Sequence, residues 1–252
     1  MIELEEVIEP AFQPVYDFRQ GKVAFYEALL RIRDDALDAK HIEYITLGER
    51  FGFIHQIDIL MMKQAVRLGM LSNVRIALNL SMMTVENAGH EIISILKGVN
   101  GYGSQVILEF TETLPVKDFR IVANFLEEAR GCGAKIAIDD YGALGHYFTD
   151  SLIKLMRPDY IKIDGAVLNK AVVMGNFAEI QHVIKLCRAS GAELIAEFVD
   201  TWEKVNIIFG HDITHAQGYL IGVPVRNDFV LSPRFLSELG SEGESQARVV
   251  AG

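Results

Sequence analysis

Along most of the chain, short apolar runs of strand-like composition alternate with longer segments in which apolar residues recur three and four positions apart. The short runs predict strands over residues 11–16, 23–30, 75–79, 105–109, 135–139, 160–163, 193–196 and 216–220. The longer segments, including 57–68, 119–129 and 180–189, predict helices with one apolar face laid over the sheet. Repeated strand–helix units build a mostly parallel sheet, and eight strands suffice to close it into an α/β barrel. Gly131, Gly133 and Gly191 stand where a helix must end and a strand begin, a position that favours glycine. Only residues 18–22 separate the first two strands, too few for a crossover, so one antiparallel pair is expected near the start.

The chain has 252 residues, half of them apolar, enough for one barrel domain over residues 1–238. Residues 239–252 lose periodicity and gain Gly, Ser and Glu, which predicts a disordered tail. With 24 basic and 34 acidic residues the formal charge is −10, which argues against a long nucleic acid as partner. A small phosphate ligand would need bound cations or a few placed Lys and Arg to reverse the local field. Cys132 and Cys187 are the only cysteines, without metal-ligand or redox spacing, and read as inert thiols in a reducing compartment. The acidic opening MIELEEVIEP is unlike a secretion signal, and no apolar stretch reaches the roughly 18 residues of a membrane span. A cytoplasmic location without membrane insertion is the expectation.

In barrels of this kind the chemistry sits at the carboxyl ends of the strands. Glu27 interrupts the run AFYEALL, Asn79 ends RIALN, Glu109 ends QVILE, and Asp139 and Asp140 end KIAIDD. Lys162 lies within YIKID, Glu197 follows ELIA, and Gln217 opens QGYL. Each has a structural alternative: Glu27 could pair with Arg31, Asn79 or the two aspartates could cap helices, Lys162 could be an ion-pair partner, and Glu197 could bind a loop amide. Taken together, five carboxylates at one mouth would repel each other and bear a desolvation cost that divalent cations would offset. An all-oxygen donor set points to Mg²⁺ or Mn²⁺ rather than zinc, and a two-metal arrangement points to phosphodiester cleavage. The seven histidines, His41, His55, His90, His146, His182, His211 and His215, fall in segments read as helix or loop and are taken as structural.

These residues stand in an ordered series of motifs: FQPVYDFRQGKVAFYEALLR, then NLS at Asn79, LEFTET at Leu108, DDYG at Asp139, KID at Lys162, AEFVDT at Ala196 and QGYL at Gln217. The series resembles the EAL-domain phosphodiesterases that hydrolyse cyclic di-GMP in bacterial signal transduction. That resemblance implies a TIM-like (β/α)8 barrel with its first strand antiparallel. It implies one ion held by Glu27, Asn79, Glu109 and Asp139, and a second held by Asp139, Asp140 and Glu197. Lys162 would orient or activate the attacking water, Gln217 would hold the site by hydrogen bonding, and Glu112 would anchor the loop after Asp140. Gln13, Leu29, Arg31, Asp164 and Asp200 correspond to ligand contacts, the product would be linear pGpG, and a homodimer with a possible regulatory protein partner is implied. Two departures stand out. The usual loop DFGTGYSSL is replaced by the longer DYGALGHYFTDSL, and the usual AEGVE by AEFVD, with Phe198 in place of glycine and Asp200 in place of glutamate. They motivate an alternative, a catalytically inactive receptor or protein-interaction scaffold on the same barrel.

Overall fold

The short link after the first strand is a hairpin, as its length requires. In the computed structural model, which describes residues 4–38, 40–110, 118–142, 150–211, 213–237 and 239, strands β1 (Ile8–Asp17) and β2 (Lys22–Ile32) run antiparallel. Then follow β3 (Ile76–Leu80), β4 (Val106–Phe110), β5 (Lys135–Tyr141), β6 (Tyr160–Ile163), β7 (Glu193–Ala196) and β8 (His215–Gln217), each parallel to its predecessor. β8 pairs antiparallel with β1, and β1 with β2, so eight strands close into a TIM-like barrel that leaves no free edge among them. A two-residue strand, β9 (Val225–Arg226), adds to β1.

The connections carry α1 (Leu4–Val7), α2 (Asp35–Asp38), α3 (His41–Phe51), α4 (Ile54–Ser72), α5 (Met82–Gly98), α6 (Phe119–Gly131), α7 (Asp150–Met156), α8 (Gly165–Met174), α9 (Ala178–Ser190) and α10 (Trp202–Gly210). Local sequence starts several of them. The side chains of Ser81, Asp118, Asp164 and Thr201 accept a hydrogen bond from a backbone N–H in the first turn of α5, α6, α8 and α10. The apolar positions then do the packing: α6 buries Val122, Phe125, Leu126 and Ala129, one stripe of a helical period, against the sheet.

Strand pleating sorts the other face. Val15, Phe25, Ala77, Ile107, Ala137, Tyr160 and Ile195, one from each of seven strands, pack into a separate apolar cluster that plugs the barrel. Side chains on a strand alternate with period two, so the next inward-facing layer toward the mouth lies two residues away on each strand, onward in β2 to β8 and backward in the antiparallel β1. That layer is the site described below.

Three expectations change. The last strand covers 215–217 rather than 216–220, because a Cβ at Gly218 would stand 2.2 Å from the backbone nitrogen of Val199. There the chain turns against Val199, whose N–H donates to Gln217 and whose carbonyl accepts from Leu220. His215 therefore lies in a strand rather than a loop. It is buried next to the Tyr160 ring, with Nδ1 3.2 Å from Glu193 and Nε2 3.7 Å from Asp17, and burial pushes its pKa down. Gly131 is the last helical residue of α6, and the positive φ of +88° falls two residues later, at Gly133. Of the two thiols, Cys187 is buried and pushed up to about 12 by that burial, whereas Cys132 is half-buried. Residues 240–252 of the expected tail lie outside the described residues.

Candidate active site

Counting two residues from the apolar plug toward the mouth gives Gln13, Glu27, Asn79, Glu109, Asp139, Lys162 and Glu197, and the same step from His215 gives Gln217. Every strand of the barrel thus contributes one polar side chain to a single layer. Register holds them level: Gln13 is opposite Glu27 in β1–β2, and Asn79 opposite Glu109 in β3–β4. All but Asn79 are buried.

Lys162 is the hub. Its Nζ lies 3.2 Å from Glu27, 2.9 Å from Glu109, 2.8 Å from Asp139 and 3.0 Å from Glu197, with only 1% of its side chain exposed. It forms the ion pair that the sequence allowed, and with four carboxylates. Glu27 accordingly pairs with Lys162 and not with Arg31, and it also accepts from Asn79 Nδ2 at 2.7 Å and Gln217 Nε2 at 2.5 Å. Gln217 is steadied in turn by Gln13, whose own amide nitrogen donates to the Gly222 carbonyl. Helix capping falls to Ser81, which leaves Asn79 within β3.

One ammonium cannot balance this many buried carboxylates, and the proton affinities record the deficit. Burial pushes Glu27 up, but the Lys162 charge and the hydrogen bonds from Gln217 and Asn79 outweigh it and hold the carboxyl below its usual range. Glu109 and Glu197 are held well above it, chiefly by burial and then, against the pull of Lys162, by the charges of their neighbours. Asp139 is raised by burial and Glu27 despite Lys162. Burial tends to lower the Lys162 pKa, yet the carboxylates around it raise it well above the ordinary value. Without a further cation, part of the cluster must hold protons.

The donor set fits divalent cations. Asn79 Oδ1, Glu109 Oε1 and Glu197 Oε2 are buried oxygens with no hydrogen-bond partner, a costly arrangement unless a ligand satisfies it. Oxygens of Glu27, Glu109 and Asp139 lie within 4.8 Å of one another, and so do oxygens of Asp139, Asp140 and Glu197. Two consecutive aspartates reach one site because the β5–β6 register slips between Ile138 and Tyr141 and Asp140 takes φ +52°. A bulge of this kind re-aims a side chain that strict alternation would send outward. Burial and the adjacent Asp139 push Asp140 up to about 7.

The other expected site residues stand around this layer. Leu29 and Arg31 are partly buried on β2, and Arg31 donates to the Leu30 carbonyl and lies 3.9 Å from Asp38. Asp164 caps α8 through Ala166 N, and exposed Asp200 pairs with Lys204 at 2.8 Å. Glu112 and residues 143–149 of the long loop lie outside the described residues. Gln13 had been expected only as a ligand contact; its place in the polar layer was readable from the two-residue step along β1.

A closed barrel whose mouth gathers carboxylates, one amide and one lysine from successive strand ends defines an α/β-barrel protein with a centre suited to hard divalent cations. The EAL domain family matches residues 2–224, and the chain belongs to that family. It is 30% identical over 211 residues to the cyclic di-GMP phosphodiesterase PdeB of Shewanella oneidensis, covering 79% of this chain and 24% of that protein. With the cyclic di-GMP phosphodiesterase PA2567 of Pseudomonas aeruginosa it shares 26% identity over 233 residues, 89% of this chain and 39% of the relative. The chain therefore spans between a quarter and two-fifths of the length of these relatives. Klebsiella pneumoniae BlrP1, solved with manganese and cyclic di-GMP, shares the fold at a TM-score of 0.75 and 24% identity over 90% of this chain and 58% of that one. Among the described residues no helix is long and apolar enough to cross a membrane.

Proposed function

We propose that this barrel hydrolyses cyclic di-GMP to linear pGpG with two divalent cations, Mg²⁺ or Mn²⁺, at its mouth. The observation that carries the reading is the set of partnerless buried oxygens on Asn79, Glu109 and Glu197 around a single lysine. Glu27, Asn79, Glu109 and Asp139 would hold one cation, and Asp139, Asp140 and Glu197 the other. When bound, the cations supply the positive charge that a phosphodiester needs in an acidic pocket and lower the pKa of water.

The chain's own groups do the rest. Lys162 offers an N–H to the attacking water and to negative charge developing on the phosphate. Gln217 and Gln13 fix the Glu27 carboxylate. Arg31 presents a guanidinium fork suited to phosphate oxygens, with Leu29, Asp164 and Asp200 lining the ligand. The protein acts in the cytoplasm as a homodimer, which light scattering of the purified chain checks.

The test is incubation with cyclic di-GMP and Mn²⁺ or Mg²⁺, followed by chromatography. The wild type is expected to release pGpG, and Asn79→Ala, which removes a buried oxygen without adding charge, to lose at least about a hundred-fold in rate. Intact ligand with both metals rejects the hydrolase. Calorimetric binding in that event would make the chain a receptor, and no binding would leave a scaffold.

A further inference from the structure

We propose that Phe198 is a platform on which one guanine base of the bound dinucleotide stacks, a reading that rests on the cyclic di-GMP assignment above. Phe198 directly follows Glu197 at the mouth end of β7, takes φ +52°, and leaves 61% of its surface exposed. A left-handed backbone disfavours any side chain with a Cβ, and glycine is the residue that adopts it freely. An exposed ring returns little burial in compensation. Phe198 is thus poorly placed for folding on both counts, and outliers of this kind concentrate where a ligand is held.

The surroundings make the ring a fixed surface. A methyl group built on Gly165, the first residue of α8, would stand 2.5 Å from Phe198 Cβ and 2.7 Å from Cγ, so the side chain rests directly on the glycine backbone. The Phe198 carbonyl accepts from Lys204 Nζ at 2.8 Å, and buried Lys204 is itself paired with Asp200. Val199, the next residue, is bonded to Gln217 and Leu220. The backbone is held in its strained conformation from both sides, and the base of the aromatic side chain is braced against Gly165. Two carboxylates are near in the chain: Asp164, which directly precedes Gly165 and caps α8, and Asp200, two residues after Phe198 and paired with Lys204. Carboxylates can accept from the N1–H and 2-amino donors of guanine, while the ring offers the stacking that every base can use.

The test is the dissociation constant for cyclic di-GMP by calorimetry in Ca²⁺, with the ligand recovered by chromatography to show that it stayed intact. Phe198→Gly should bind at least about five-fold more weakly. Its melting temperature should be unchanged or raised, since the backbone strain is relieved. Phe198→Tyr, which keeps the ring, should remain within two-fold of wild type. Gly165→Ala should weaken binding in the wild type by lifting the ring, and should add nothing to Phe198→Gly. Equal or tighter binding by Phe198→Gly overturns the platform, because the ring would then be idle or an obstruction. A further loss from Gly165→Ala in that variant also overturns it. A wild type that fails to bind overturns the functional reading and this one with it; binding that is indifferent to Phe198 overturns this one alone.

Discussion

Two layers inside the barrel, one strand repeat or roughly 7 Å apart, differ in almost every chemical respect. The lower one is Val15, Phe25, Ala77, Ile107, Ala137, Tyr160 and Ile195, with His215 beside Tyr160. The upper one is Gln13, Glu27, Asn79, Glu109, Asp139, Lys162, Glu197 and Gln217. Both layers are built by the same strands at the same register, so backbone geometry does not distinguish them. What distinguishes them is the sign of their contribution. The lower layer stabilises by apolar burial. The upper layer keeps charges from water and depends on Lys162 to remain tolerable. The barrel holds in its lower half the rigidity that lets its upper half keep unfavourable groups within cation-binding distance.

The sharpest way to break this contrast is to remove the hub. Lys162→Met leaves Glu27, Glu109, Asp139 and Glu197 buried without a counter-charge and should cost about 3–5 kcal/mol in chelator, read from urea unfolding. Mn²⁺ should restore more stability to this variant than it adds to wild type, because the cation replaces a missing charge. A variant that melts like wild type in chelator would mean that the cluster is already neutral and that Lys162 is not its support. The complementary change is Ile107→Ala, two residues before Glu109 on the same strand and 1% exposed. It should cost about 2–5 kcal/mol by opening a cavity yet leave calorimetric Mn²⁺ affinity within about two-fold. A matching loss of affinity would show that the layers are coupled and that the lower one shapes the site directly.

The same contrast explains what could be read from the sequence. Asn79, Glu109, Asp139 and Glu197 were legible because each ends or directly follows an apolar run, Glu27 and Lys162 because each interrupts one, and a barrel brings such positions together at its mouth. The closure of the barrel was legible too, through eight runs and a hairpin too short for a crossover. Lys162 as a four-fold hub was not. Nothing in the spacing of residues 27, 109, 139, 162 and 197 reports that one Nζ sits within 3.2 Å of four carboxylates. His215 was misjudged for a local reason: it opens a three-residue strand whose far end is set by Gly218 packing on Val199, a tertiary contact. The convergence of Asp139 and Asp140 likewise depends on a bulge, which appears in the sequence only as two adjacent acids.

A third region sharpens the comparison, because it holds a partly buried carboxylate with no lysine among the groups that shift it. Asp58 on α4, outside the barrel, accepts from Ser81 N at 3.0 Å and from Thr84 Oγ1 at 2.6 Å. Burial raises its pKa, the hydrogen bonds from Thr84 and Ser81 oppose that rise, and the nearby Glu49 charge adds to it; the result is about 7 against an ordinary 3.8. Glu27, with Lys162 beside it, is moved the other way. The folded state therefore holds the Asp58 proton more tightly than the unfolded chain does. Below about pH 4 both states are protonated and the group is neutral to stability. As pH rises toward 7 the unfolded chain releases its proton first and stability falls; above 7 the penalty is constant. Asp58→Asn keeps an acceptor for Ser81 and Thr84 and has no such dependence. Its stability relative to wild type should improve by about 2–3 kcal/mol between pH 5 and pH 8, at about 1.4 kcal/mol per pKa unit. Urea unfolding of both proteins at the two pH values measures this, and titration of the barrel carboxylates cancels in the difference. A difference that does not change with pH would show Asp58 already ionised at pH 5, its two hydrogen bonds then sufficing for a partly buried carboxylate where the barrel mouth uses an ammonium.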